Sequence, residues 1–246
     1  MKIMLKSVLL GGVLLTSGVA IASDTAQWTY SGEKGPENWS KLQPEFGACA
    51  GKNQSPINLT GFIESELKPI ELSYQAGGNE ILNNGHTVQV NYAVGSSITV
   101  DDIQFDLKQF HFHAPGENRI NSKSYPMEAH LVHSDKDGNL AVVALMIEEG
   151  AENKELAKIW PLIPLKANQK TVIPQPFSVV MMLPTNKGYY RFNGSLTTPP
   201  CTEGVRWLVI KTPISASKKQ VEAFTHVIHQ PNNRPVQPVN ARPVLK

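Results

Sequence analysis

Apolar and polar side chains alternate along much of this chain, and the alternation predicts its strands. Successive residues of a strand point to opposite faces of the sheet, so a period near two indicates a half-buried strand. The pattern recurs in five segments, at 87–92, 97–107, 128–133, 140–146 and 207–210. Turn-forming residues separate these segments, at 83–85, 101–102, 135–139, 186–188 and 193–194.

Helical patterns are fewer and shorter. Ser217 and Gln220 form a capping-box sequence that predicts the start of a helix running to about residue 229, with Val221, Phe224 and Ile228 on one face. A second short helix is predicted over 152–159, before two prolines. No linker composition interrupts the chain after the N-terminal segment, so we predict one mostly β domain.

The first 22 residues have the composition of a secretory signal peptide. Lys2 and Lys6 precede an uncharged apolar run over 7–22, which ends in Ala20-Ile21-Ala22. An uncleaved membrane anchor is the alternative, and the glycines of the run disfavour it. We therefore expect a signal peptide at 1–22, a mature domain at 23–246 and a periplasmic location.

Charge and cysteine content narrow the function further. Cleavage would remove two of the 23 basic side chains and none of the 21 acidic ones, so the mature chain is formally neutral. It has no basic stripe for nucleic acid and no second apolar run for a membrane span, which favours a small-molecule substrate. Cys49 and Cys201 predict a disulfide in an exported protein, with free buried thiols or extra metal ligands as alternatives.

The densest chemistry lies in two of the predicted strands, QFHFH at 109–113 and EAH at 128–130. Strand parity places His111 and His113 on one face, and the intervening phenylalanines on the other. If the two strands are neighbours, His130 joins them from the same side of the sheet. Three histidine ligands with an open fourth position are typical of a catalytic zinc site.

Each of these residues also has a structural interpretation. Two alternating histidines can simply be hydrogen-bonded groups on a half-buried sheet. Glu128 could accept from the outer nitrogen of His130 and Gln109 from that of His111, as the partners of metal-bound imidazoles usually do. A cross-strand ion pair for Glu128 and solvent exposure for Gln109 are the alternatives. The third histidine beside a carboxylate favours the metal site.

The order of motifs along the chain resembles that of the α-class carbonic anhydrases. The matching segments are WTYSG at 28–32, GPENW at 35–39, QSPIN at 54–58, NNGH at 83–86, the two histidine strands, LTTPP at 196–200 and NNRPVQP at 232–238. Together they extend over essentially the whole mature chain. The resemblance implies one domain around a large twisted, mostly antiparallel sheet of about ten strands, with short peripheral helices.

The resemblance also implies an activity, the zinc-dependent reversible hydration of carbon dioxide to bicarbonate and a proton. His111, His113 and His130 would bind Zn²⁺, and a zinc-bound hydroxide would attack the substrate. Thr197 would orient that hydroxide while donating to Glu117. His86, which otherwise reads as an exposed turn residue, would relay protons to solvent.

The remaining residues carried over by the resemblance form the substrate pocket. Its apolar wall would consist of Val132, Val142, Leu196 and Trp207, for which plain core packing is the alternative. Thr198 would border the pocket and, with Tyr30, hold its water network. The cysteine pair agrees with the disulfide of exported family members, and it would hold the loop that carries Thr197.

Some positions depart from the pattern of the vertebrate members. Ala114 stands in place of a tryptophan, Asn118 in place of a histidine and Gln89 in place of an asparagine, and the 117–127 loop also differs. Two rival functions stay open, a catalytically silent binding module of the same fold and a zinc esterase. The sequence leaves the oligomeric state undecided, with a homodimer as one option, and gives no role to His133, His226 or His229.

Overall fold

A computed structural model describes residues 28–246, and the predicted signal peptide lies outside this range. Three short α-helices occur in it: α1 (Trp39–Leu42), α2 (Leu156–Ile159) and α3 (Lys218–Ile228). The strands of the described range are β1 (Asn58–Leu59), β2 (Glu71–Ser73), β3 (Gly78–Asn83), β4 (Val88–Tyr92), β5 (Ser97–Val100), β6 (Ile103–His113), β7 (Arg119–Ile120), β8 (Met127–Ser134), β9 (Leu140–Glu149), β10 (Gln169–Phe177), β11 (Tyr189–Ser195) and β12 (Glu203–Ala216).

Ten of these strands form one sheet, which confirms the predicted mainly β architecture. Its central path runs β10-β3-β4-β6-β8-β9-β12-β11, with β5 pairing to both β6 and β2. The neighbours are antiparallel except β9 and β12, which are parallel. The remaining two strands, β1 and β7, form a separate parallel pair.

The alternation of side chains gives the sheet two different faces. Phe110 and Phe112 of β6 point into the larger apolar cluster, where Phe112 contacts Trp160 and Phe224 of α3. Their neighbours His111 and His113 therefore point to the opposite face, as strand parity predicts. That face carries a smaller apolar cluster around Trp207. The metal-binding candidates thus lie on one face while the main core covers the other.

Of the predicted turns, the one at 101–102 interrupts a predicted strand and the one at 193–194 is absent. The predicted strand 97–107 is divided by Asp101 and Asp102, which both adopt positive φ and connect β5 to β6 as a hairpin. The predicted turn at 193–194 is wrong, because both residues lie within β11. Asn-Gly is a strong turn signal, but here the glycine serves a close approach between segments and not a reversal of the chain. The turns at 135–139 and 186–188 are present, each with a side-chain cap from Asp135 or Asn186.

The helix predicted from residue 217 is confirmed as α3, together with its capping box, whereas only the last four residues of the helix predicted over 152–159 are helical, in α2. The Ser217 side chain accepts from the Gln220 backbone N–H, and the Gln220 side chain accepts from the Ser217 N–H. His229 ends the helix in the left-handed conformation. In the described part of the chain, no helix is both long and apolar enough to cross a membrane.

His133, which has no role from sequence, is a fully buried core residue. Its Nδ1 lies 3.2 Å from the carbonyl oxygen of Ala141 and its Nε2 lies 2.6 Å from the hydroxyl of Tyr74. Burial lowers the pKa of His133 to about 4, so the ring is neutral. A neutral ring donates to Ala141 and accepts from Tyr74, which satisfies both nitrogens.

The disulfide predicted from the cysteine pair is present. Cys49 and Cys201 are bonded, with their Cα atoms 4.9 Å apart and 152 residues of separation in sequence. Cys201 follows β11 in the segment that carries Thr197, and its N–H donates to the Thr198 carbonyl. The bond therefore joins this segment to the N-terminal part of the domain.

Reduction of this disulfide is expected to lower the free energy of unfolding by about 2–5 kcal/mol, the usual range for a native bond that closes a long loop. Chemical unfolding of the oxidised and reduced proteins would measure the difference. Thiol titration provides the control, since the native protein should show no reactive thiol. Two titratable thiols before reduction would contradict the pairing.

Gly194 is expected to be intolerant of a side chain. A β-carbon there would lie 2.1 Å from Ser55 Oγ. Ser55 cannot move away freely, because its Oγ accepts from the Ser195 N–H and its own N–H donates to Ser195 Oγ. Gly194→Ala should therefore lower the unfolding free energy by about 1–3 kcal/mol through overpacking. Gly47→Ala is the matched control, since nothing lies within 4 Å of its added carbon, and equal stability of the two variants would refute the assignment.

Candidate metal centre

The pairing of β6 with β8 brings the three histidines together. His111 lies directly opposite His130, and His113 lies opposite Glu128. The ring centroids of the three imidazoles are 4.6 to 5.3 Å apart. One nitrogen from each ring lies within 4.8 Å of the corresponding nitrogens of the other two. The arrangement can therefore offer three nitrogens to a single ion.

Each histidine is held through its outer nitrogen. His111 Nδ1 lies 2.9 Å from Gln109 Oε1, and His130 Nε2 lies 2.9 Å from Glu128 Oε1. His113 Nδ1 lies 2.7 Å from the carbonyl oxygen of Asn232. All three partner atoms are acceptors, so the outer nitrogens carry the hydrogens. The lone pairs are left on the inner nitrogens, which are Nε2 of His111 and His113 and Nδ1 of His130.

This set of donors fits a zinc ion. The inner nitrogen of His113 is buried and has no hydrogen-bond partner among the described residues. Burial lowers the pKa of His111 and of His113, and it does so strongly for His111, where the neighbouring rings add to the effect. The rings are therefore neutral, the form in which imidazole binds metals. Three imidazole nitrogens with no fourth protein ligand among the described residues match the donor set of a catalytic zinc site.

Glu128 is a fully buried carboxylate with four donors around it. Its Oε1 accepts from His130 Nε2 and from Asn118 Nδ2, at 2.9 and 2.7 Å. Its Oε2 accepts from the backbone N–H groups of Glu117 and Asn118, both at 2.7 Å. Burial alone raises the pKa of Glu128, but the attraction of His130 and these hydrogen bonds outweigh it and the pKa is lowered. The group is therefore charged and held on both oxygens.

Glu117 lies on the inner side of the centre. Its Oε1 accepts from the Arg234 backbone N–H at 2.8 Å, and its Oε2 lies 3.5 Å from His113 Nε2 and 3.9 Å from His130 Nδ1. Burial raises the pKa of Glu117 to about 7, although His130, the Arg234 N–H and the Thr197 hydroxyl act in the opposite direction. A cation bound by the inner nitrogens would favour the charged form. Thr197 is itself buried.

His86 lies in a turn that Asn84 closes. The Asn84 side chain accepts from the backbone N–H groups of His86 and Thr87. The imidazole stacks on Trp28, with centroids 3.8 Å apart and planes 10° from parallel. The expectation of an exposed side chain is therefore only partly right, since the residue is half-buried. Burial lowers its pKa below the usual value. Tyr30 packs against the same tryptophan, with ring centroids 5.2 Å apart.

The residues predicted for the apolar wall lie together beside the histidines. Val142 and Trp207 are buried in the smaller apolar cluster, and Val132 and Leu196 pack against it half-buried. The Trp207 ring lies edge-on to His130 at 4.9 Å and its Nε1 donates to the Ser195 carbonyl. Thr198, two residues after Leu196, is half-buried.

Sequence reasoning missed the roles of three polar residues around the centre: Asn118, Asn232 and Arg234. Asn232 orients His113 through its carbonyl, and its side chain donates to the carbonyls of His86 and Phe112. Arg234 donates its guanidinium to Gln54, Ser55 and Cys49. The NNRPVQP segment was the available signal, but only the fold shows which atoms it supplies.

Two of the residues that depart from the vertebrate pattern make defined hydrogen bonds in the structure. Ala114 is buried and its N–H donates to Asn232 Oδ1, so the backbone there is fixed without a large side chain. Gln89 lies opposite His111 on β4 and donates to Asn91. Of the other histidines, His226 lies exposed on α3 and His229 lies exposed at its end.

Comparison with known proteins agrees with this geometry. The sequence model of the eukaryotic-type carbonic anhydrase family matches residues 34–246. A carbonic anhydrase of Pectobacterium atrosepticum is 48% identical over 227 residues, covering 92% of this chain and 93% of the relative. One of Neisseria gonorrhoeae is 46% identical over 244 residues, covering 98% and 96%.

Solved structures give the same result. The α-carbonic anhydrase of Thermovibrio ammonificans, in a complex with the inhibitor sulfanilamide, superposes with a TM-score of 0.88 at 47% identity, covering 90% of this chain and 99% of that one. At this coverage the similarity extends over the sheet, the histidine strands and the C-terminal segment alike. The chain belongs to the α-class carbonic anhydrase family of enzymes.

Proposed function

We propose that this chain is an exported zinc enzyme that hydrates carbon dioxide reversibly in the periplasm, with a signal peptide at 1–22 and a catalytic domain at 23–246. Membership of the family supports the hydration reaction itself. The observation that supports zinc dependence is the convergence of three imidazoles, each fixed through its outer nitrogen. Carbon dioxide and bicarbonate are the substrates.

His111, His113 and His130 would hold Zn²⁺ and leave a fourth position open, and the apolar wall lies beside His130. Zinc in such a three-histidine site supplies a nucleophile near neutral pH by lowering the pKa of a bound water to about 7, the value established for carbonic anhydrases as a class. Neutral ligands leave the positive charge of the ion undiminished. The protein's own task is therefore to hold the ion, orient the reactants and move a proton.

Thr197 and Glu117 supply the orientation. A charged Glu117 has only acceptors, so a Thr197 hydroxyl that donates to it must accept from whatever lies at the open position. That fixes which way the lone pair of the nucleophile points. Glu117 is itself fixed by the Arg234 backbone N–H. Val142 and Trp207 supply an apolar surface for an uncharged substrate, with Val132, Leu196 and Thr198 at its edge.

His86 supplies the route for the proton. Hydration releases one proton per turnover, which must leave a mostly enclosed site. A half-buried imidazole with a lowered pKa can accept that proton and release it readily to buffer at neutral pH. The turn that carries His86 is tied to the centre, because the Asn232 side chain donates to the His86 carbonyl while the Asn232 carbonyl accepts from His113 Nδ1. Tyr30 would hold water between the two.

A catalytically silent module is disfavoured because the complete ligand set is present. A zinc esterase would use the same centre, but the sequence has no feature that predicts an acyl or alcohol pocket. Metal analysis of the purified mature protein, combined with stopped-flow hydration and hydrolysis of a simple aryl ester, distinguishes the three. One zinc per chain with hydration far faster than ester turnover is the expected result.

Replacing a ligand should abolish the reaction. His130→Ala removes one of three nitrogens, and the remaining pair forms a weaker site of different shape. We expect loss of stoichiometric zinc and of measurable hydration. His226→Ala is the matched control, because that histidine is exposed on α3, which packs against the opposite face of the sheet. Near-normal zinc content and activity in His130→Ala would show the proposed site to be wrong.

Replacing His86 should slow only the proton step. His86→Ala changes no ligand and no orienting group, so kcat/KM should stay close to wild type while kcat falls in weak buffer. Imidazole-type buffer should restore much of the loss by carrying protons directly. His229→Ala, which removes an exposed histidine from the end of α3, should leave both constants unchanged. Equal kcat for His86→Ala and wild type in weak buffer would exclude the proton-relay role and leave the zinc mechanism intact.

A further inference from the structure

Asn118 contacts Glu128 with both its side chain and its backbone. The residue has none of its surface exposed. Its Nδ2 donates to Glu128 Oε1 and its backbone N–H to Glu128 Oε2, both at 2.7 Å. Its Oδ1 accepts from the Ile57 backbone N–H at 3.1 Å. One amide side chain therefore joins the carboxylate behind His130 to the segment that leads into β1.

The short parallel pair of β1 and β7 explains why Asn118 is held in this place. Asn58 pairs with Arg119 and Leu59 with Ile120, immediately after Ile57 and Asn118. The Arg119 N–H also donates to the Ile57 carbonyl at 3.1 Å. Backbone hydrogen bonds on both sides thus fix the position of the Asn118 amide. Leu59 and Ile120 of this pair are buried in the smaller apolar cluster, so the pair anchors the 117–120 segment beside the centre.

The contact is placed where it controls the orientation of His130. Asn118 Nδ2 and His130 Nε2 donate to the same oxygen of Glu128. Each oxygen of the carboxylate accepts two hydrogen bonds. The Glu128 side chain therefore cannot adopt another rotamer without losing some of them. Without the Asn118 side chain, Glu128 would lose one of these hydrogen bonds. A buried acceptor that has lost a donor is destabilised in its original orientation. His130 would then turn with it.

We propose that Asn118 is a positioning residue of the metal centre, which slows the loss of zinc by fixing the Glu128 carboxylate that orients His130. The inference rests on the proposed function, since it requires zinc at the three histidines. It concerns a residue at which this chain departs from the vertebrate members of the family. The expected size follows from other metal sites, where replacing an outer partner weakens metal binding about 10–100-fold.

A double-mutant cycle tests whether Asn118 acts through Glu128. Zinc-loaded wild type, Asn118→Ala, Glu128→Ala and the double variant are diluted into excess chelator, and zinc release is followed with a colorimetric indicator. Asn118→Ala should release zinc on the order of tenfold faster than wild type. The double variant should release zinc no faster than Glu128→Ala alone, because the first change has nothing left to act on.

Gln220→Ala is the control for a loss of stability without a role at the centre. Gln220 is also a buried amide with several hydrogen bonds, to Asn153 and Ser217, but it caps α3 away from the histidines. Gln220→Ala should lower the thermal midpoint of the metal-free protein, while zinc release stays at the wild-type rate. Asn118→Ser, whose hydroxyl is too short to reach Glu128, replaces the alanine variant if that one does not fold.

The outcomes separate this inference from the proposed function. If wild type binds no stoichiometric zinc, the proposed function itself fails. If wild type binds one zinc and Asn118→Ala releases it at the wild-type rate, only the positioning role is overturned. Faster release that adds fully to the effect of Glu128→Ala would also overturn it, because Asn118 would then act by general destabilisation and not through the carboxylate.

Discussion

The centre depends on the buried charge of the Glu128 carboxylate. Removing such a group from water costs several kcal/mol unless hydrogen bonds compensate on both oxygens. Here four donors do so, from His130, Asn118 and the backbone of Glu117. Two of these residues belong to the chain between β6 and β8, so that connection must fold back onto β8 for the carboxylate to be satisfied. The same folding places Glu117 beside the inner nitrogens.

The sheet register is the second constraint. His111 lies opposite His130, and both side chains point away from the face that packs against Phe112 and α3. A slip of one residue between β6 and β8 would turn the histidines toward the core and the phenylalanines toward the site. The register that buries the apolar side chains is thus also the one that assembles the ligands. Core packing and metal-site geometry are satisfied by the same pairing.

The shared face of His111 and His113 could be predicted because strand parity is a local property. His111, His113 and their neighbour Gln109 lie within five residues, and alternation alone assigns their faces. The contacts of Asn232 and Asn118 could not be predicted this way, because they join residues 10 to 146 positions apart. The prediction of a turn at Asn193-Gly194 was wrong for a related reason. The glycine there accommodates Ser55, which is distant in sequence and close only in the fold.

Arg234 shows how these long-range contacts are joined into one structure. Its guanidinium donates to Gln54 and to the carbonyl of Cys49, while its backbone N–H donates to Glu117. Gln54 in turn donates to the carbonyl of Cys201, so the same hydrogen-bond network contacts both cysteines of the disulfide. Burial lowers the pKa of Arg234 to about 10, and the carboxylate of Glu117 acts against that shift. Because an arginine with this pKa stays charged at neutral pH, it favours the ionised form of Glu117 that the proposed role of Thr197 requires. The same side chain therefore contacts the Cys49 end of the disulfide and favours the charged form of the carboxylate beside the three histidines.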